Sequence, residues 1–275
     1  MAAPQTHTAA ESTPDELALD VRGLVKRFGD RSIFDGVDLA VRPGEAVGII
    51  GANGTGKSTL LRCLVRLTEP DAGSVRILDR LVTGCDARAL RRIRAGVGFV
   101  FQRHNLVGRL SALSNVVHGV QSRMSGPRTW SQALAPEKVR REALECLDQV
   151  GLADRALQAV SSLSGGQSQR VAVARMLMQQ PRLILADEPD ASLDPKSGAE
   201  IMALLFRISR DTCTPLVFVS HHMEHVVRFA DRVVGLEHGR ISLNVPVRTV
   251  DPERLKRFFS EPGSEGRPQS ETVDA

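Results

Sequence analysis

The chain has 275 residues, 42% of them hydrophobic and 25% charged, with a net charge of +4. That length allows one large domain or two modest ones with a sizeable core, and the composition excludes collagen-like, fibrous and disulfide-scaffold classes. No apolar run approaches the roughly 18–20 residues that span a bilayer, and the N-terminus lacks the basic and apolar regions of a secretory signal.

Charge is unevenly spread. Residues 1–16 hold Glu11, Asp15 and Glu16 with no Lys or Arg, and 261–275 hold Glu261, Glu265, Glu271 and Asp274 against Arg267. Both segments are poor in apolar residues and are expected to be disordered tails. The body between them carries the positive excess, which suits phosphate ligands, nucleic acid or an anionic surface, or a mixed solvated exterior. Cys63, Cys85, Cys146 and Cys213 lie far apart without metal-type spacing, so buried reduced thiols are expected.

In chain order, strands are predicted at 17–21, 37–41, 45–50, 74–78 and 97–101, then at 183–187, 216–220, 232–236 and 240–244. Helices are predicted at 57–67, 111–119, 135–150, 167–180, 196–210 and 223–230. The runs LILAD and LVFVS are almost wholly apolar, as strands covered on both faces require. Strands dominate first, helices from about 103 to 165, and the two then alternate. This predicts an α/β fold: a parallel-sheet core with an antiparallel β edge and an inserted α-helical subdomain.

The first chemical signal is Gly51-Ala52-Asn53-Gly54-Thr55-Gly56-Lys57-Ser58-Thr59, with an apolar strand before it and a helix after it. It fits the P-loop pattern GxxxxGKS/T. Glycines let backbone N–H groups turn toward phosphate oxygens, and the helix N-terminus adds its positive dipole end. Lys57 is expected to reach the β- and γ-phosphates, and Ser58 to bind Mg²⁺. The chain is therefore expected to bind a nucleoside triphosphate.

A second cradle is Leu163-Ser164-Gly165-Gly166-Gln167 at the start of another helix. One triphosphate does not need two separate cradles on one chain, but a second copy could share it. GANGTGKST, LSGGQSQR and LILADEP, in that order, resemble the ATP-binding-cassette (ABC) ATPases over about residues 17–250. The resemblance implies a P-loop ABC cassette with a RecA-like core over 17–260 and a helical subdomain at about 103–165. It also implies ATP and Mg²⁺ as ligands.

By the same resemblance, Asp187 holds Mg²⁺ with Ser58 and Gln102, while Glu188 polarises the attacking water. His221 is the switch histidine, touching the γ-phosphate and Glu188. Phe28 stacks on adenine, Asp194 belongs to the D-loop, and Ser164, Gly165, Gly166 and Gln167 cap the ATP of the other subunit. His222 stands where the family commonly has Asp, and is expected at the rim.

Two decoys are set aside. His221, His222, Glu224 and His225 also read HxxEH, a zinc-peptidase pattern, but such sites put both histidines on one helix face, and His221 is expected at a strand tip. Arg88, Arg91, Arg92 and Arg94 have helical spacing without interleaved aromatics, in a chain with 4% aromatics and no Tyr. A solvated helix face, near lipid headgroups, is expected there rather than a nucleic-acid platform.

Within the family, residues 101–119 and 174–195 most resemble the ATPases of phosphonate importers, as does the long segment 120–140 with Trp130. His104 replaces a Phe of that subgroup, and Asp190 a small or aliphatic residue. The resemblance implies a homodimer on the cytoplasmic face of the inner membrane, peripheral to two permease subunits and indirectly served by a substrate-binding protein, with no nucleic acid. The alternatives are another ABC transport system, such as an exporter or lipoprotein-releasing pump, and a soluble ABC ATPase of DNA repair or translation.

Overall fold

Two sheets clasp a single helix, and the chain enters that helix directly from a buried strand. The computed structural model describes residues 17–250 and Leu255, apart from Arg103 and Ser125; both expected tails lie outside the described residues. The first half contains β1 (Leu19–Phe28), β2 (Arg31–Val41), β3 (Ala46–Ile50), α1 (Lys57–Leu64), β4 (Ala72–Ile77), β5 (Arg80–Leu81), α2 (Ala87–Ala95) and β6 (Val97–Val100). The second contains α3 (Ala112–Val117), α4 (Glu137–Gln149), α5 (Gly165–Met178), β7 (Leu183–Asp187), α6 (Pro195–Asp211), β8 (Leu216–Val219), α7 (Met223–Phe229), β9 (Arg232–Glu237) and β10 (Arg240–Pro246).

The antiparallel sheet runs β2-β1-β4-β5, and the second sheet runs β10-β9-β3-β8-β7-β6. In the latter, β9, β3, β8, β7 and β6 are parallel, and β10 closes the edge antiparallel to β9. Every residue of β3, β7 and β8 is buried. That is why these strands read as unbroken apolar runs. Leu60, Leu61, Cys63 and Leu64 of α1 are buried in one core with residues of β1, β2 and β4 and the near face of the parallel sheet. The other face packs against α6 and the helices α3, α4 and α5.

The hairpin strands β1 and β2 extend well beyond the expected 17–21 and 37–41. Their outer residues, including Arg22, Arg27 and Asp38, face solvent, so alternation replaces the apolar run that marks a central strand. The two-residue β5 and the helix α2 were not among the expected elements. Asp86 caps α2 by accepting from the Ala89 backbone N–H at 2.7 Å. Three of its arginines do form an exposed face, but Arg94 corrects the expected solvated cluster. Its guanidinium turns inward and donates to the carbonyls of Val65 and Arg66, both at 2.8 Å, where α1 ends. The four cysteines are free; Cys63 and Cys146 are buried as expected, whereas Cys85 is only partly buried and Cys213 is exposed. Burial pushes the thiols of Cys63 and Cys146 up to about 11 and about 12.

Helix α5 ties the layers together. Its capping residue Gln179 donates through Nε2 to the carbonyls of Arg94, Ala95 and Val97, at the junction of α2 and β6. No helix among the described residues is long and apolar enough to cross a membrane. Fully buried Asn115 of α3 secures the loop that precedes it, accepting from the Val107 N–H at 2.8 Å and donating to the carbonyls of Val107, Leu110 and Ser111. Replacing Asn115 with Ala strands these buried groups. We expect a loss of about 2–3 kcal/mol in denaturant unfolding with an unchanged m-value.

Candidate functional site

Parallel strands release the chain at a common edge, and here the release points carry the motifs. Ile49 of β3, Val219 of β8 and Asp187 of β7 form one row across the sheet, and Val100 of β6 pairs with Ala186 beside it. The Gly51–Ser58 loop leaves β3, Gln102 follows β6, Glu188 follows β7 and His221 follows β8. Four sequence-distant segments therefore converge on one carboxyl-terminal rim, the usual ligand edge of an open α/β sheet.

The loop after β3 is shaped by steric exclusion. Gly51 and Gly56 have φ of +153° and +100°. A Cβ on Gly51 would lie 2.5 Å from the Leu236 carbonyl oxygen, and one on Gly56 would lie 2.6 Å from the Ile33 side chain. Thr55 Oγ1 donates to the Ala52 carbonyl at 2.9 Å. Lys57 Nζ donates to the carbonyls of Gly51 and Ala52 at 2.8 and 3.0 Å, which curls the ammonium over its own loop. Burial lowers its pKa, while Glu188 and Asp187 pull it back up. No side chain caps the start of α1, so its first N–H groups face the loop, beside Ser58 and Thr59. Asn53 and Gly54 are exposed at the tip. This is a cradle for an anionic group.

Asp187 is 2% exposed, and its Oδ1 has no hydrogen-bond partner among the described residues. Burial raises its pKa; the Ser58 hydroxyl and the Arg62 guanidinium, 4.0 Å away, oppose that shift. An orphaned buried carboxylate oxygen beside a hydroxyl is a hard-oxygen donor pair that suits a divalent cation such as Mg²⁺. Glu188 sits at φ +48°, a costly region for a non-glycine residue, and its Oε1 lies 2.5 Å from His221 Nε2.

The remaining expected residues fall in two places. Phe28 ends β1 with its ring 53% exposed, and Lys26 Nζ stands 5.0 Å from the ring centroid. Gln102 is exposed at the exit of β6. Ser164 and Gln167 form a reciprocal capping box at the start of α5, with Gln167 N–H donating to Ser164 Oγ at 3.3 Å and Ser164 N–H to Gln167 Oε1 at 3.0 Å. Gly165 and Gly166 lie against Leu193 and Ser197. Asp194 caps α6 by accepting from the Ser197 N–H at 3.0 Å, and the Ser197 hydroxyl and N–H hold its carboxyl below the usual range. The capping segment of α5 thus packs on the start of α6. Among the described residues no hydrogen bond joins it to the Gly51–Ser58 loop.

The histidines do not assemble a zinc set. His221 engages Glu188, His225 engages Asp190, and exposed His222 starts α7. Two contacts at this rim had no motif to announce them. Arg175 of α5 donates to the carbonyls of Asn105 and His104 at 2.7 and 3.1 Å, holding the segment after Gln102. Asp190 and His225, 35 residues apart, meet beneath the site.

The chain is similar in sequence and fold to known proteins. The ABC transporter family matches residues 34–191, more than half of the chain. The phosphonates import ATP-binding protein of Nocardia farcinica is 44% identical over 244 residues, covering 89% of this chain and 91% of that one. The phosphate-import ATP-binding protein of Mycolicibacterium smegmatis is 45% identical over 232 residues, covering 84% and 88%. Among solved structures, the dimeric post-hydrolysis state of the ATP-binding cassette MJ0796 with ADP and Pi is similar with a TM-score of 0.74 and 33% identity, covering 84% of this chain and 100% of that one.

Burial of Asp187 disfavours its charge, so ionisation destabilises the nucleotide-free fold above its unfolded pKa of 3.8. Asp187→Asn should therefore be more stable than the unmodified chain at neutral pH, by about 1 kcal/mol. The gain should vanish as pH falls toward 3.8, which melting curves across the pH range would show.

Proposed function

The chain belongs to the ABC transporter family of ATP-binding proteins, and from that premise we propose that it is the ATP-hydrolysing subunit of an importer for phosphonates. What carries this reading is the convergence of the Gly51–Ser58 loop, Asp187, Glu188 and His221 on one rim of the parallel sheet, in a chain 42–46% identical to phosphonate-import subunits over about nine-tenths of its length. Residues 17–260 are taken as one cassette, with the helical part at about 103–165.

The residues divide the work. Glycines 51, 54 and 56, with Ala52, Asn53, Thr55 and Thr59, wrap the phosphates through backbone N–H groups and the start of α1. Lys57 exchanges its two loop carbonyls for β- and γ-phosphate oxygens, with no loss of hydrogen bonds. Phe28 offers its exposed ring to the adenine. Ser58, Asp187 and Gln102 would hold Mg²⁺, which when bound neutralises phosphate charge. Glu188 orients and polarises the water that attacks the γ-phosphorus, and His221 fixes the carboxylate and faces the γ-phosphate. Ser164, Gly165, Gly166 and Gln167 of one copy cap the ATP of the other, with Asp194 at the crossing between copies. The exposure of Ser164 and Gly165 supports that use.

A groove of about 580 Å³ beside Gln102 supports a permease contact. Leu67, the stacked rings of Phe99 and Phe101 at 4.1 Å, and Met176 give it an apolar floor, and Arg91 and His118 edge it. A short amphipathic helix from a membrane subunit fits such a surface. Two ATPase copies with two permeases place the protein peripherally on the cytoplasmic face of the inner membrane, with a substrate-binding protein acting indirectly.

Glu188→Gln keeps the shape of the base and removes its charge. We expect ATP binding to persist, turnover to fall about 10²–10³-fold, and ATP to hold the variant as a dimer in light scattering. Turnover near that of the unmodified chain, or a monomer at saturating ATP, would contradict the shared-site reading.

The phosphate-import name of one relative at 45% identity keeps inorganic phosphate as a second reading of the cargo. ATPase of the complex reconstituted with its permease and binding protein separates the two, because coupling through binding energy makes loaded binding protein raise turnover. Stimulation by alkylphosphonates above phosphate is expected. Stimulation by phosphate alone would move the assignment, and stimulation only by an unrelated amino acid would remove it.

A further inference from the structure

Beneath the catalytic rim, buried Asp190 pairs with partly buried His225, and neither belongs to the nucleotide motifs. Asp190, two positions beyond Glu188, is 3% exposed. Its Oδ2 lies 2.6 Å from His225 Nδ1 on α7 and accepts from the Ser220 hydroxyl at 3.4 Å. Ser220 Oγ in turn accepts from the His222 N–H at 3.1 Å. No partner reaches Asp190 Oδ1 among the described residues. A carboxylate so buried needs a strong donor, and the imidazole tautomer with its N–H at Nδ1 supplies one to Asp190 Oδ2.

The pair joins the two loops that carry Glu188 and His221. Above, Glu188 Oε1 meets His221 Nε2; below, Asp190 meets Ser220 and His225, so the exits of β7 and β8 are clamped at two levels. The start of α6 closes the third side, since a Cβ on Gly198 would stand 3.2 Å from Asp190 Cβ. Glu188 holds a left-handed backbone that persists only when its surroundings over-determine it. A short, directional carboxylate–imidazole link supplies that constraint, whereas an apolar contact at the same place would let the loops slide.

We infer that Asp190 and His225 are positioning residues for ATP hydrolysis, a brace that sets where Glu188 stands relative to His221. The inference rests on the roles of Glu188 and His221 proposed above. A misplacement on the order of 1 Å at a reacting group lowers rates by up to about a hundredfold, while binding through the Gly51–Ser58 loop is left intact.

The test is steady-state ATPase of the full-length chain, with ATP affinity and melting temperature followed in parallel. His225→Leu removes the donor and should lower kcat roughly 10–100-fold, with KM and ATP affinity within about twofold. His225→Asn places an amide nitrogen where Nδ1 stands and should restore kcat to within about threefold of the unmodified chain. The double variant of Asp190→Ala with His225→Leu should be no slower than the slower single, because each breaks the same link. If Asp190→Ala does not fold, the two His225 variants decide. Unaltered kcat in His225→Leu overturns the brace, as does a loss that His225→Asn fails to restore. Glu188→Gln separates the premise from the inference: full turnover in that variant removes the premise, whereas a slow Glu188→Gln beside a fully active His225→Leu removes the brace alone.

Discussion

The nucleotide end of this protein depends on the parallel pairing of β3, β8 and β7. Antiparallel neighbours would send consecutive motifs to opposite edges of the sheet. Parallel pairing brings Ile49, Val219 and Asp187 into one row, and the next residues of each strand become loop, carboxylate or imidazole bearer. The requirement is met by burial on both faces, with α1 and the antiparallel sheet on one side and α3 to α6 on the other. No single residue of these strands does chemistry before Asp187, yet all of them set where chemistry can occur.

That rim is held at some cost to the fold. Asp187 keeps one carboxylate oxygen unpartnered in a buried position, Lys57 bends its ammonium over its own loop, and Glu188 occupies backbone space that most residues avoid. Each departure has a compensating contact nearby: Ser58 and Arg62 for Asp187, the carbonyls of Gly51 and Ala52 for Lys57, His221 for Glu188. Strain concentrated at one edge of an otherwise well-packed sheet is the signature of a site whose ligand completes its electrostatics.

Legibility in the sequence followed locality. The Gly51–Ser58 loop, LSGGQ and the LILADE strand were readable because each motif is contiguous and its flanking elements are strongly apolar. Nine of the ten strands among the described residues are legible, although β1 and β2 read short where alternation replaces an apolar run. The two-residue β5 has no pattern of its own, and the charged α2 was visible only as arginine spacing. Arg94 could not be told from its solvated neighbours, since its inward turn depends on where the carbonyls of Val65 and Arg66 end up. The links from Arg175 to His104 and Asn105, and from Asp190 to His225, span 71, 70 and 35 residues. Nothing in a linear string pairs such positions; only the strand order does.

Helix α5 carries a mechanical consequence. Its fourteen residues span about 21 Å as a single rod. At one end, Gly165 and Gly166 rest on Leu193 and Ser197; in the last turn, Arg175 grips the chain after Gln102; just beyond it, Gln179 grips three carbonyls where α2 meets β6. A hydrogen-bonded helix resists compression and bending far more than the loops it touches, so a tilt imposed at Gly165 would be carried to the Arg175 and Gln179 contacts rather than absorbed along the way. The groove lined by Phe99, Phe101 and Met176 lies at that far end. The helix therefore ties the Gly165 end to the groove end as one rigid piece, so the surface at Leu193 and Ser197 and the groove floor at Met176 keep a fixed relation to each other.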